Sequence, residues 1–169
     1  MNRLSLKALL SCALFGVMIS LPAHALKSDT QQPIYISADE QQLDMQKNIV
    51  EFSGNVVLQQ GTIDIRANRI VVERVNGQEG NEVIRAYGSQ ATFEQQLDDG
   101  GFIKARANRI VYTTQNEFLQ MIGKARLEQT DSTIESNNIS YRIDQQKLVA
   151  ESEQGGRVTT VLQPKALNK

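Results

Sequence analysis

Hydrophobic and polar residues alternate with a period of two along most of this chain, and no segment sustains the spacing of a helix face. Ile34 and Ile36 share one face with Tyr35 on the other; Val56 pairs with Leu58; Ile63, Ile65 and Ala67 alternate with Asp64, Arg66 and Asn68; Ile139, Tyr141 and Ile143 repeat the pattern. Turn chemistry punctuates these runs at Gln46-Lys47-Asn48, Gln59-Gln60-Gly61, Asp98-Asp99-Gly100-Gly101, Asp144 to Lys147 and Gly155-Gly156. Asn76-Gly77 is a strong hairpin signal, with a loop reaching toward Gly80. Gly54 and Gly88 read as further breaks. Each strand with its turn takes about nine or ten residues, which predicts on the order of fifteen antiparallel strands. The lead-in from Leu26 to Gln32 is polar and reads as a mobile segment.

The strands are related to one another. Arg66-Ala67-Asn68-Arg69-Ile70-Val71 recurs as Arg106-Ala107-Asn108-Arg109-Ile110-Val111, and weaker copies begin at Ala38-Asp39 and Ser136-Asn137. Copies 38 and 107, like copies 67 and 136, lie 69 residues apart, and Gly54 stands at the same distance from Gly123. No linker separates the halves, so the repeat predicts one continuous curled sheet, all-β and open, with an apolar inner face and polar residues turned to water. The Asn68, Asn108 and Asn137 series reads as turn chemistry at strand entries rather than as a ligand ladder.

The first residues stand apart. Arg3 and Lys7 precede a 14-residue apolar run, Ala8 to Leu21, then Pro22 and Ala23-His24-Ala25. This is the three-zone pattern of an export signal, and the run falls short of the roughly 20 residues of a membrane span. The expected units are a cleaved signal at 1–25 and one β domain at 26–169. Leu9-Leu10-Ser11-Cys12 loosely suggests a lipidated cysteine instead, but cleavage there would strand Ala13 to Leu21 as an apolar tail.

Removal of the signal changes the available chemistry, because Cys12 and His24 are the only cysteine and histidine. Thiol nucleophiles, disulfides, imidazole bases and the usual zinc ligand sets go with them. The 18 basic residues, less Arg3 and Lys7, face 19 acidic ones, so there is no basic footprint for nucleic acid. Asp39-Glu40 and Asp98-Asp99-Gly100 lack the ligand count of a calcium site. Neither a metal nor another cofactor is expected. A carboxylate enzyme acting on glycans would need a pair such as Asp64 with Glu94, and nothing in their spacing favours it.

By parity and bulk, Ile34, Ile36, Val50, Phe52, Phe93, Tyr112, Phe118 and Leu127 are assigned to the interior, where they either fill a dry core or line a slot. Phe93 and Tyr112, large and near polar turns, are the first choices for the slot. Arg74 stands near a rim, as a surface charge or as a partner for a phosphate. The edges of an open sheet leave backbone groups unpaired, here Pro33, Ile34, Tyr35, Ile36 and Ser37 at one side and Arg157, Val158, Thr159, Thr160, Val161 and Leu162 at the other. Pairing of one molecule's last strand with the next molecule's first does not close, so it predicts head-to-tail association.

The signal, the opening Gln32-Pro33-Ile34-Tyr35-Ile36-Ser37-Ala38-Asp39, Leu43-Asp44-Met45-Gln46, Phe52-Ser53-Gly54-Asn55-Val56, Gln60-Gly61-Thr62-Ile63, Tyr87-Gly88 and Arg157-Val158-Thr159-Thr160-Val161-Leu162 resemble the LptA (OstA-like) family of periplasmic lipopolysaccharide export proteins. That resemblance implies a slightly twisted, open β-jelly roll with an apolar interior. It further implies a non-enzymatic carrier that holds the acyl chains of lipopolysaccharide in an apolar groove and forms one section of a bridge across the periplasm. The implied partners are an LptC-like inner-membrane anchor at the N-terminal end, an LptD-like outer-membrane translocon at the C-terminal end, and further copies of itself. A structural or adhesive periplasmic β module with a filled core is the alternative.

Overall fold

The computed structural model describes residues 29–97, 100–153 and 155–163. The expected signal at 1–25, with Cys12 and His24, and the tail after Gln163 lie outside the described residues. Among the described residues ten strands form one antiparallel sheet: β1 (Ile34–Ser37), β2 (Glu40–Asp44), β3 (Ile49–Gln60), β4 (Ile63–Arg74), β5 (Glu82–Gln96), β6 (Phe102–Thr113), β7 (Phe118–Gln129), β8 (Ser132–Arg142), β9 (Lys147–Glu151) and β10 (Thr159–Leu162). Strands β3 to β8 follow one another as hairpins, β1 and β2 share the free side of β3, and β9 and β10 share the free side of β8. The sheet is therefore open, all-β and continuous, as the repeat predicted. Among the described residues no helix is long and apolar enough to cross a membrane.

The expectation of about fifteen short strands is corrected here, and the reason is the glycines. Six strands run for 11 to 15 residues because Gly54, Gly88 and Gly123 do not end them. Pairing is interrupted between Ser53 and Val56, between Tyr87 and Ala91 and between Ile122 and Ala125, and it resumes in the same strands beyond. Such bulges bend a strand without terminating it. Gly54-Asn55 falls opposite Asn68, Gly88 to Gln90 opposite Asn108, and Gly123-Lys124 opposite Asn137. The Asn series therefore marks mid-strand positions, not strand entries.

Together these residues draw a crease across the sheet, in which Asp39, Asn68, Asn108 and Asn137 alternate with the three glycines. Each polar side chain leans over the next glycine: Asp39 over Gly54, Asn68 over Gly88 with its Oδ1 3.0 Å from where a Cβ would stand, and Asn108 over Gly123. Asn137 Nδ2 donates to Glu153 Oε1 at 2.5 Å and carries the line to the far edge. At both edges the strand breaks altogether at the crease, which is why β1 is separate from β2 and β9 from β10.

Inner-face rows on the two sides of the crease meet as walls. One row is Leu58, Ile65, Phe93, Ala105 and Leu127; facing it across the crease is Val72, Ile84, Tyr112, Leu119 and Tyr141. Apart from the partly buried Val72, all of these are buried in one apolar cluster. Each fully buried Leu, Ile or Phe contributes about 1.5–3 kcal/mol, so this cluster is what closes the roll. The outer face carries ion pairs such as Arg69–Glu51 and Arg126–Glu135.

Both edge segments are shorter than the sequence suggested. Pro33 precedes β1, since it has no N–H for the ladder. Arg157 and Val158 precede β10, because its pairing with β8 begins at Thr159 opposite Glu135, just beyond the crease at Asn137. The lead-in is also corrected over its described part: Asp29–Gln31 is a 3-10 turn docked on the sheet, with Asp29 accepting hydrogen bonds from Thr62 and Gln95.

Candidate functional site

At the edge formed by β1 and β2 the two walls stand apart, leaving a pocket of about 350 Å³. Ile34 and Ile36 reach it from β1, Val50 and Phe52 from β3, Val72 from β4, and Leu43 and Met45 from β2 and the turn after it. The mechanism of placement is alternation: Ile34 pairs with Gln60 and Ile36 with Leu58, so both follow the inner face of β3. Leu43 and Met45 are exposed, which leaves this mouth open to water. Ile34, Ile36, Phe52 and Val72 pack directly against the buried cluster, so the pocket continues into the core.

Arg74 stands at the pocket's polar side beside Glu82. Its Nε donates to Glu82 Oε1 at 3.2 Å, and that carboxylate is buried and also receives Gly80 N–H and the Thr114 hydroxyl. A cation already held by a buried carboxylate is a poor partner for a ligand phosphate, so Arg74 is a structural member of the rim. A second hollow, about 450 Å³, lies on β2 and β3 and is lined by Glu40, Gln41, Gln42, Glu51 and Ser53. All its side chains are polar, and it offers nothing to an acyl chain.

The remaining interior residues divide. Phe93, Tyr112 and Leu127 face inward and are completely buried; Phe93 and Tyr112 touch ring to ring. Phe118 is a correction: it lies on the outer face of β7, half-buried beneath the guanidinium of Arg142 at 5.2 Å, and Leu119 takes the inner position. Gln120, which shares a face with Phe118 and Ile122, marks that face as the outer one, and the bulk of Phe118 outweighed this single polar signal. Asp64 and Glu94 are cross-strand neighbours, but on the outer face, where Arg66 and Gln59 bind the first and Lys104 the second.

Opposite the crease the walls meet along a polar seam that the sequence reading missed. Gln60, Ile63, Gln95, Ile103 and Gln129 form the last inner row of one wall. Gln129 Nε2 donates to the Tyr141 hydroxyl of the other wall at 3.2 Å. Gln60 Oε1, Gln95 Oε1 and the Tyr112 hydroxyl are buried without a hydrogen-bond partner among the described residues. Burial, then the negative charges of Glu117 and Asp29, raise the Tyr112 phenol above its ordinary pKa. The sequence pattern places Gln60 in a turn, and its position next to Gly61 conceals an inward side chain at the end of β3.

Comparison with known proteins agrees with this geometry. The family model described as LptA/(LptD N-terminal domain) LPS transport protein matches residues 35–147. Over 166 residues the chain is 45% identical to the lipopolysaccharide export system protein LptA of Escherichia coli (strain K12), covering 98% of this chain and 89% of that protein. It is 44% identical over 154 residues to LptA of Haemophilus influenzae, covering 90% of each. Similarity extends to LptH of Pseudomonas aeruginosa, 31% identical over 164 residues, with 90% of this chain and 93% of that protein covered. Among solved structures, the crystal structure of LptH, described as the LptA homologous periplasmic component of the lipopolysaccharide transport device of that organism, superposes with a TM-score of 0.74 at 27% identity. The superposition covers 82% of this chain and all of that one.

Proposed function

Because this chain belongs to the LptA/(LptD N-terminal domain) family of LPS transport proteins, we propose that it carries lipopolysaccharide across the periplasm with the acyl chains held between the two walls of its creased sheet. It is a transport protein, not an enzyme. The observation that carries the reading is the edge pocket: seven apolar side chains, drawn from both walls, open to water on one side and continuous with the core on the other. Its volume lies within the range of about 300–1,000 Å³ common to sites for organic ligands.

An acyl chain of about a dozen carbons gains roughly 10 kcal/mol on leaving water, at about 0.8 kcal/mol per methylene. Ile34, Ile36, Val50 and Phe52 form the entrance in this reading. Phe93, Tyr112 and Leu127 are reached when the walls part, and successive rows of similar aliphatic residues let a chain advance without a deep trap. The test is displacement of a fluorescent fatty acid by lipopolysaccharide. Binding lost in Val50→Asp and Phe52→Asp supports the carrier; a wild-type chain that takes up no apolar probe leaves only a structural β module.

The finer assignments belong to the same proposal. The β1–β2 edge faces an LptC-like inner-membrane anchor, the β9–β10 edge faces an LptD-like outer-membrane translocon, and copies join head to tail between them. Exposure of β10 along its whole length supports the second contact and the third. The chain reaches the periplasm through a signal removed after Ala25, so mass spectrometry of the exported protein should find Leu26 as its first residue.

A further inference from the structure

The turn Asp29–Gln31 lies on the seam, and none of its residues is buried. Its attachments to the sheet there are polar: Thr62 N–H and the Thr62 hydroxyl each donate to the Asp29 carboxylate at 2.7 Å, and Gln95 Nε2 donates at 2.8 Å. Gln60 Nε2 donates to the Gln32 carbonyl at 3.0 Å and, at 3.4 Å, to that of Thr30. The carboxylate is seated against Gly61, where a side chain would occupy the position of Asp29 Oδ1. Three converging donors and a glycine that clears the space make a cradle for an oxyanion.

Beneath the cradle the seam is under-satisfied, since Gln60 and Gln95, 3% and 8% exposed, each have a buried Oε1 without a partner. These oxygens are acceptors, so they call for a hydroxyl or amide donor on a ligand, beside the anionic group that the Thr62 and Gln95 donors would take. Ile63 and Ile103 alternate with these glutamines in the same row, and the next row inward, with Ile65 and Phe93, begins the apolar interior. An amphiphile with its chain in the trough and its head at the seam would bring an anionic group to these same donors.

We propose that the cradle of Thr62 and Gln95 is the seat for a phosphate or carboxylate headgroup of the amphiphile carried in the trough, and that Asp29 is its tethered stand-in, expelled on loading. The inference rests on the carrier reading. A competitor attached to the protein lowers apparent affinity by the fraction of time the seat is filled, so a turn docked about nine-tenths of the time costs about tenfold.

The test uses the exported chain as wild type, Asp29→Ala, Asp29→Asn and Asp29→Ala/Thr62→Val, each checked for an unchanged melting transition. A fluorescent fatty acid is displaced with dodecyl phosphate, with uncharged dodecanol, and with inorganic phosphate. Either single variant should bind dodecyl phosphate about tenfold more tightly with dodecanol unchanged, and the double variant should lose the gain. Equal gains for dodecyl phosphate and dodecanol would reduce the turn to a steric cover and overturn the proposal. So would a gain that survives Thr62→Val, or inorganic phosphate competing as well as dodecyl phosphate. If amphiphiles bind but no Asp29 variant alters their affinity, this inference alone fails; if none binds any variant, the carrier reading fails with it.

Discussion

Phe93 and Tyr112 sit on opposite sides of the crease and meet with ring centroids 5.5 Å apart and planes inclined at 54°. Along their own strands they face different neighbours: Phe93 pairs with Ile65 and Ala105, Tyr112 with Ile84 and Leu119. Their contact exists only because the sheet folds over, so it pins one wall to the other. A tilted aromatic pair adds about 0.5–1.5 kcal/mol to the burial of its area. Anything that enters the trough must part this pair or pass beside it.

Truncation of the pin should destabilise the fold without opening a polar path. Phe93→Ala is expected to lose about 3–5 kcal/mol in a denaturant titration, through lost transfer free energy and the cavity left behind. Tyr112→Phe keeps the ring and deletes a buried hydroxyl that has no partner among the described residues. It should be neutral or slightly stabilising. A clear loss of stability in Tyr112→Phe would mean that its hydroxyl is bonded in solution.

The same hydroxyl sets an alkaline limit. Burial, reinforced by the charges of Glu117 and Asp29, holds the folded phenol above its ordinary pKa of 10.0. A group raised in the folded state keeps its proton there after the unfolded chain has released its own. Its contribution is thus present in full below pH 10 and is lost as the pH climbs beyond that value. Wild type and Tyr112→Phe should therefore show a constant difference in midpoint up to about pH 10, after which wild type falls faster. Parallel curves throughout would show that Tyr112 is accessible to water.

Much of this architecture was legible in the sequence because alternation carries its own geometry. Ile34, Ile36, Val50 and Phe52 were assigned inward by parity alone, and all four line the edge pocket. The offset of 69 residues reappears as matching bulges at Gly54 and Gly123. What parity cannot supply is the fate of a glycine. Gly54 with a positive φ looks alike whether it ends a strand or bends one, and the difference is made by Asp39 in the break between β1 and β2. Nor does a period of two reveal that a sheet folds on itself, which turned Phe93 and Tyr112 from a wall into a contact. Phe118 failed for a narrower reason: Gln120 alone marks its face of β7 as the outer one, and the apolar bulk of Phe118 and Ile122 on either side outweighed that signal.

The crease makes its own prediction. Gly54 and Gly123 have φ of 78° and 80°, and a Cβ at either position would collide with the polar side chain leaning over it, Asp39 or Asn108. Gly77 and Gly80 share the positive φ, but nothing lies within 4 Å of an added Cβ. Gly54→Ala and Gly123→Ala should each cost about 1–3 kcal/mol or more, and Gly80→Ala only the backbone part, about 1 kcal/mol. Urea midpoints of the three variants rank them directly. Equal losses would mean that the Asp39 and Asn108 contacts impose no constraint.

Strand β10 offers the last test, since among the described residues it pairs only with β8 and is exposed along its length, with Leu162 73% accessible. Successive residues of an edge strand direct their N–H groups to opposite sides, so one of Thr160 and Val161 donates toward β8 and the other toward solvent. Proline at the outward position removes a donor that only another molecule can use; at the inward position it breaks the ladder. If copies join head to tail through this edge, one of Thr160→Pro and Val161→Pro should keep the wild-type melting transition and sediment as a monomer at concentrations where wild type forms longer species. The other should loosen β10 and abolish association as well. Oligomers of unchanged size in both variants, measured by light scattering, would place the junction elsewhere on the molecule.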